Sequence, residues 1–348
     1  MESIYVLEPG AYLRREGNSL KVVKEGTVVD RIPAAGLKRL LLVGYVTLTG
    51  AVLDFLIRNR VETVFVTPTG RFRARLGLDE HRHVALRRDQ YLRLTDKPAA
   101  LDAARRVVRG KLDNLGRFLR LRAGTDRDEA LRTAALKLRA MSAHAAESKN
   151  PEVLRGVEGA GARVYFSVFP KLIKNESFSF NGRNRRPPRD PVNALLSFIY
   201  TLLTNEVLSA IQTAGLDPYL GALHEISYGR PSLACDLVEE YRSFLGDRLV
   251  LGLINRRMIS PDDFIFRSDA PRAYRDEAEL KARRPVEMKP ALARDLIAAY
   301  ETMMNQSVYY PPLEKKVTHR NLILNQVRRF GAGLSDPGAP YEPFVWKV

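Results

Sequence analysis

The chain has 348 residues, 45% hydrophobic and 28% charged, and its 56 Lys+Arg against 40 Asp+Glu leave a formal net charge of +16. That apolar share supports a sizeable core and excludes a disordered chain, and the length suggests two domains rather than one. The positive excess points to a polyanionic partner, nucleic acid before membrane, since the sequence shows neither a run of about 18 apolar residues nor an apolar signal core at its N-terminus.

From the N-terminus, residues 4–75 read as strands. IYVLEPG, AYLRREGNSLKVVKEGTVVDRIP and GLKRLLLVG are short alternating or apolar runs broken by Pro-Gly, Gly-Asn and Glu-Gly turns, which is hairpin chemistry. One short helix interrupts them at TGAVLDFLIRNR, with Thr49 as cap and Val52, Phe55 and Leu56 at helical spacing. A turn at Pro68 to Gly70 then leads into a basic strand on which Arg71, Arg73 and Arg75 alternate. Such a strand suits phosphate contact or a protected sheet edge equally well. His81 and His83 have no acidic or cysteine partner nearby in sequence, so they read as linker, and the boundary is set at 83/84.

From Val84 the pattern becomes helical. Val107, Leu112 and Leu119 with Arg105, Arg106, Arg109 and Lys111 predict an amphipathic helix with a basic outer side. In RGVEGAGARVYF, Glu158 stands in a run of small residues where a backbone or a phosphate can approach closely. GAGAR lacks the third glycine and the preceding strand of a dinucleotide fingerprint. SFSFNGRNRRPPRD is irregular and basic: Arg183, Arg185, Arg186 and Arg189 fit a phosphate backbone, with Phe178 and Phe180 placed to stack an unpaired base. Asp190 as cap, Pro191 and a terminal Gly215 mark the next helix, striped by Leu195, Ile199, Leu202 and Leu203.

Residues 215–242, GLDPYLGALHEISYGRPSLACDLVEEYR, carry the densest chemistry. Ser232 caps a predicted helix running to Phe244, on which Asp236 and Glu239 lie three positions apart, about 4.5 Å along the axis, on one face. Two carboxylates so close repel unless a positive charge lies between them, and His224 upstream adds an imidazole. Any one of these residues alone reads as a solvated acid or a core histidine; together with Glu158 they read as a metal site. Oxygen and nitrogen ligands without cysteine favour Mg2+ or Mn2+ over structural zinc, and in a basic protein that suggests phosphodiester chemistry. The single cysteine, Cys235, excludes an intrachain disulfide and is expected to pack on the buried side of this helix. Asp262 and Asp263 follow Ser260-Pro261 at a helix start, where carboxylates cap free amides without any metal. A Gly- and Pro-rich tail from Gly331 is expected to be mobile.

The fold class expected is therefore α+β: an N-terminal β-rich domain, 1–83, and a larger all-α catalytic domain, 84–348. EGAGARVYF, RNRRPPRDPVNALLSFIYTLL, GLDPYLGALHE and PSLACDLVEEYR, in that order and spacing, resemble the catalytic domain of the CRISPR-associated adaptation integrases, the Cas-one family. The resemblance implies a metal-dependent DNA endonuclease and integrase that joins the 3′-hydroxyl ends of short foreign DNA to a CRISPR repeat by transesterification. It implies a homodimer bridged by a dimer of the Cas-two protein; the lack of an apolar span or signal core points to the cytoplasm and no membrane. By the same resemblance Glu158, His224 and Glu239 match the metal ligands and Asp236 the additional catalytic acid. Arg163 is added to the loop arginines as a candidate DNA contact. The alternatives are a nuclease for branched or repair DNA and a catalytically silent nucleic-acid scaffold.

Overall fold

A computed structural model describes residues 3–67, 72–76, 83–184, 187–268, 275, 279, 283–336 and 338–346. The chain divides into two compact units, Met1–Glu80 and His81–Val348.

In the first unit the strands are β1 (Ser3–Val6), β2 (Tyr12–Glu16), β3 (Ser19–Lys24), β4 (Thr27–Pro33), β5 (Arg39–Val43), β6 (Thr47–Leu48), β7 (Glu62–Val66) and β8 (Phe72–Arg75), with helix α1 (Gly50–Arg58) before β7. They form two four-stranded sheets, β4-β3-β2-β6 and β1-β5-β7-β8. The expected hairpins are real for β2, β3 and β4, which pair antiparallel. β1, β5 and β7, by contrast, run parallel. Their near-continuous apolar runs are the signature of strands covered on both faces: Leu40, Leu41 and Leu42 are all buried. Leu13, Leu20, Val22, Leu40 and Leu42 pack with Val52 and Leu56 of α1 in one cluster. On β8, Arg75 lies 3.6 Å from Glu62 of the neighbouring strand and Arg73 stacks over Tyr45. Those contacts favour the sheet-edge reading of these two arginines. Arg71, the turn at Pro68 to Gly70 and His81 lie outside the described residues.

The second unit is mostly helical, as expected. Its helices are α2 (Val84–Thr95), α3 (Lys97–Asp126), α4 (Glu129–Glu147), α5 (Pro151–Val168), α6 (Pro191–Ala214), α7 (Ser232–Leu237), α8 (Arg248–Asn255), α9 (Pro290–Asn305) and α10 (His319–Ser335). Two short antiparallel ribbons decorate it, β9 (Phe264–Phe266) with β10 (Val286–Met288) and β11 (Ser307–Tyr310) with β12 (Lys315–Thr318). The axis of the unit is α6. It begins as predicted, with the Asp190 side chain accepting from the Asn193 amide and Pro191 in the first turn, and it stops at Gly215, whose φ of 87° suits glycine. By length and hydropathy α6 resembles a membrane span, but 72% of its most apolar window is buried inside the protein, as befits a core helix.

Several local expectations change. Ser232 is the first residue of α7 rather than its cap, and its hydroxyl donates to the Glu225 carbonyl. Phe178 and Phe180 are buried, Phe180 against Phe166 and Phe169 and Phe178 against Phe264, and cannot stack on a base. Ser260 and Asp263 form the anticipated reciprocal cap. The tail is no loose end: Tyr341 and Phe344 are buried.

Candidate metal centre

Glu158 is presented by α5, which lies unusually close to α3 because Gly161 has no side chain; a Cβ there would overlap Leu112. The run of small residues thus serves helix-to-helix approach at Gly161. That approach sets the Glu158 carboxylate against Lys111 of α3, with which it forms an ion pair. Lys111 was expected on a basic outer face, yet it is 8% exposed. Its Nζ also lies 2.8 Å from Glu239 Oε2, so one ammonium draws together two carboxylates from different helices.

Glu239 owes its position to a break in regular helix. Residues predicted as one helix from Ser232 to Phe244 instead pass from α7 into a 3₁₀ turn at Val238–Glu240 and a π-helical stretch at Arg242–Asp247 before α8. Such interruptions change the angular spacing of successive side chains and are typical of functional positions. Asp236 points to the loop that precedes α7, Glu239 to Lys111 and Arg242, and Glu240 to the opposite side, towards Tyr341.

Burial alone would raise the Glu239 carboxyl, but the adjacent Arg242 and Lys111 charges outweigh it and hold the group down at about 2. It is therefore ionised at any working pH. His224, when protonated, is near enough to add to that lowering. Its Nδ1 lies 2.5 Å from Asp236 Oδ1. An acceptor-only carboxylate in that position places the imidazole proton on Nδ1 and leaves the Nε2 lone pair free, the arrangement usual for a metal-binding histidine. Asp236 itself is fully buried and saturated, since Oδ2 accepts from the Ala222 and Leu223 amides at 2.7 and 3.0 Å and Oδ1 from the His224 amide at 3.1 Å. It has no lone pair directed at Glu158 or Glu239. Gly221 permits this wrap, because a Cβ there would meet Asp236 Oδ2 at 2.5 Å and the Ser232 carbonyl carbon at 2.8 Å.

Behind Glu239, Arg242 pairs with its carboxylate and stacks on the Tyr200 ring, 5.1 Å from the centroid. Arg183 also stacks on that ring, at 5.3 Å. The Tyr200 hydroxyl donates to Asp247 at 2.5 Å and Tyr165 to the same carboxylate at 2.7 Å. Burial pushes Asp247 up to about 6 despite those two bonds.

Of the predicted site residues, the structure brings Glu158 and Glu239 together on one cation, sets His224 close to Glu239, and commits Asp236 to holding His224. Of the predicted DNA contacts, Arg163 and Arg189 are exposed. Arg183 is turned inward, donating to Asn193 Oδ1 at 2.7 Å and Ser197 Oγ at 3.0 Å. Arg185 and Arg186 lie outside the described residues. Cys235 is half-buried, and burial raises its thiol, which leaves it a packing residue. Sequence reasoning missed Lys111 and Arg242. The available signal for Arg242 was its spacing of three from Glu239.

Residues 4–282 match the family described as CRISPR associated protein Cas1. The chain belongs to the Cas1 family. It is 38% identical over 98% of its length to a CRISPR-associated endonuclease Cas1 of Thermus thermophilus, covering 96% of that relative. It superimposes on a CAS1 protein from Thermotoga maritima with a TM-score of 0.78 at 26% identity, covering 99% of both chains. It shares its fold with a chain of a Cas6-RT-Cas1–Cas2 complex, TM-score 0.79 at 21% identity, covering all of this chain and 36% of that one. The α+β fold class and the reading as an endonuclease of the CRISPR system are borne out. Cas1 endonucleases are generally metal-dependent nucleases.

The residues here suit a divalent cation in charge and donor type. Among the described residues no three His, Cys, Asp or Glu side chains are placed close enough to hold an ion as they stand. The donor set nonetheless fits: Glu239 Oε2 is buried, and its one close polar partner among the described residues is the Lys111 ammonium at 2.8 Å. A carboxylate oxygen with one such partner has a second lone pair to give an ion, beside a second carboxylate and an imidazole with a free nitrogen.

Proposed function

We propose that this chain is a divalent-metal-dependent DNA endonuclease and integrase of CRISPR adaptation, in which Glu158, His224 and Glu239 ligate Mg2+ or Mn2+. The observation that carries the reading is the convergence of Glu158 and Glu239, from separate helices, on one positive charge next to a histidine whose second nitrogen is fixed by a buried aspartate. When bound, the ion polarises the phosphoryl oxygen and stabilises the charge that develops during displacement. The protein contributes the rest. Lys111 and Arg242 offset the repulsion of the two carboxylates and add positive charge to a site that must receive a polyanion. Asp236 holds the imidazole in one tautomer and one orientation, so it acts as a positioning residue rather than a ligand. In strand joining, a DNA 3′-hydroxyl oxygen bonds to a repeat phosphorus as the bond to the original 3′-oxygen breaks, the attacking hydroxyl giving up its proton and the departing oxygen taking one up from solvent. One ester replaces another, and no external energy source is needed.

The partners proposed are foreign DNA and the CRISPR repeat, a second copy of the chain in a homodimer, and a Cas2 dimer, the last by analogy with the complex in which this fold occurs. The proposed setting is the cytoplasm, with no membrane. The test is to assay Glu158→Ala and wild type for Mn2+-dependent cleavage and for joining of a short duplex to repeat DNA. Loss of both activities in the variant supports the site, and full retention overturns it. Hydrolysis by wild type without joining would favour a nuclease of branched or repair DNA.

A further inference from the structure

The C-terminal segment lies directly behind the turn that carries Glu239. Tyr341 donates its hydroxyl to Glu240 Oε1, and the Phe344 amide donates to Glu240 Oε2 at 2.9 Å. Both oxygens of the residue next to Glu239 are therefore held by the tail. Asn114 of α3, 1% exposed, closes the other side. Its Nδ2 donates to the carbonyls of Glu240 at 2.9 Å and Phe344 at 2.8 Å, and its Oδ1 accepts from the Trp346 amide at 2.9 Å. That side-chain amide thus uses both hydrogens and its oxygen to tie α3, the catalytic turn and the tail together.

The rest of the segment is fitted as closely. Arg117 donates to the Trp346 carbonyl at 2.5 Å, and the indole packs on Phe244, 4.9 Å between centroids, within the π-helical stretch. Pro343 lies over Gly110, where a Cβ would come within 2.6 Å of the proline. Gly110, Lys111, Asn114 and Arg117 thus form one stripe of α3. Lys111 holds the side chain of Glu239, while Asn114 holds the Glu240 backbone directly and the tail holds the Glu240 carboxylate. An acid in a 3₁₀ turn lacks the full ladder of helical hydrogen bonds, so its position depends on these outside contacts.

We propose that residues 341–346 are a strap that sets Glu239 in ligand geometry, with Tyr341, Asn114 and Glu240 as positioning residues for metal binding. The inference rests on the reading of Glu239 as a ligand, and the experiment separates the two. Mn2+ affinity is measured by calorimetry on full-length wild type, Glu239→Ala, Tyr341→Phe, Asn114→Ala and Glu240→Gln, each also melted in EDTA.

Tyr341→Phe keeps the ring and removes only the hydroxyl. The expected result is an Mn2+ Kd raised about 10-fold, as for other groups that orient a metal ligand, with an unfolding midpoint in EDTA close to wild type. Asn114→Ala should weaken binding at least as much, while Glu240→Gln, which keeps an oxygen for the strap, should stay nearer wild type. An unchanged Kd in Tyr341→Phe, with binding abolished by Glu239→Ala, overturns the strap and leaves the metal site standing. If Glu239→Ala binds Mn2+ as wild type does, the ligand assignment itself falls. Should Asn114→Ala fail to fold, Tyr341→Phe still decides.

Discussion

A histidine offers one nitrogen to a metal best when the other is held, and Asp236 does this for His224 from within the protein. The carboxylate is built in by three backbone amides from residues 222–224, so the loop, the imidazole and the start of α7 move as one body. Asn at this position has a single acceptor oxygen and an amino group that faces backbone donors. Asp236→Asn should therefore weaken Mn2+ affinity by about 10- to 100-fold, the usual cost of losing a partner that orients a ligand, while Glu158 and Glu239 stay in place. Calorimetric titration with Mn2+ measures this, and an affinity within a factor of two of wild type would reject the positioning role. Gly221 offers a second test of the same unit. A methyl group there would collide with Asp236 Oδ2 and with the backbone of Ser232, neither of which can move freely. Gly221→Ala is expected to lower the unfolding midpoint and Mn2+ affinity together, whereas Gly252→Ala, within α8 and with open space around it, should raise the midpoint slightly and leave Mn2+ affinity unchanged.

At the scale of elements, the irregular helix between Ser232 and Asn255 positions the chemistry and carries a buried acid of its own. Asp247 sits where the π-helical stretch meets α8, fully buried, and accepts hydrogen bonds from Tyr165 and Tyr200. Burial lifts it from 3.8 to about 6. A raised folded-state value means that the folded protein binds the proton more tightly than the unfolded chain does. The associated stability is fully present below about pH 4 and is lost as the pH rises to about 6, a change of about 3 kcal/mol at 1.36 kcal/mol per unit. Asp247→Asn, which can still bond both tyrosines, should abolish that component. Urea unfolding of both proteins from pH 4 to pH 7 would show the wild-type stability falling relative to the variant across this window. A constant difference between them would reject the assignment. Much of this was legible in sequence where the code is local: Asp190, Pro191 and Gly215 delimit α6, and Ser260 with Asp263 forms a cap. Asp236 and Glu239 drew notice because they are close in sequence, but they do not share the face expected of them: Asp236 turns to the loop before α7 and Glu239 to Lys111 and Arg242. The break at Val238–Glu240 was not legible, since Leu233, Leu237 and Tyr241 keep helical spacing and only tertiary contacts enforce the distortion. Lys111 and Asn114 were hidden for the same reason: their partners are far away in sequence and a period shows only which face is apolar. The tail misled through its glycines and prolines, although Tyr341, Phe344 and Trp346 crowd an aromatic into every two or three positions and argue for burial.

For the molecule as a whole, two proposals remain to be tested: assembly and the use of its charge. A homodimer held by the strand-rich unit Met1–Glu80 would present two metal sites to the two ends of one DNA insert. Light scattering at micromolar concentration should give twice the mass of the chain, and a form lacking residues 1–75 should be monomeric. The net charge of +16 implies DNA binding driven largely by release of counterions, with log Kd rising linearly with log salt by about 0.9 per phosphate contacted. The basic loop of residues 183–189 then divides into two kinds of arginine. Arg183 is occupied by Asn193, Ser197 and the Tyr200 ring, so Arg183→Ala should lower the unfolding midpoint and leave the salt slope nearly unchanged. Arg189 is exposed, and Arg185 and Arg186 share the segment, so all three are proposed phosphate contacts. Replacing Arg185 and Arg186 with Ala should reduce the slope by about 2 and weaken binding to all sequences alike. Fluorescence anisotropy between about 50 and 200 mM salt, the range over which such contacts dominate affinity, resolves a change of that size. A slope unaltered by the double substitution would return the loop to a solvated surface and move the search for the DNA path to Arg163, exposed on α5 about one and a half turns beyond Glu158.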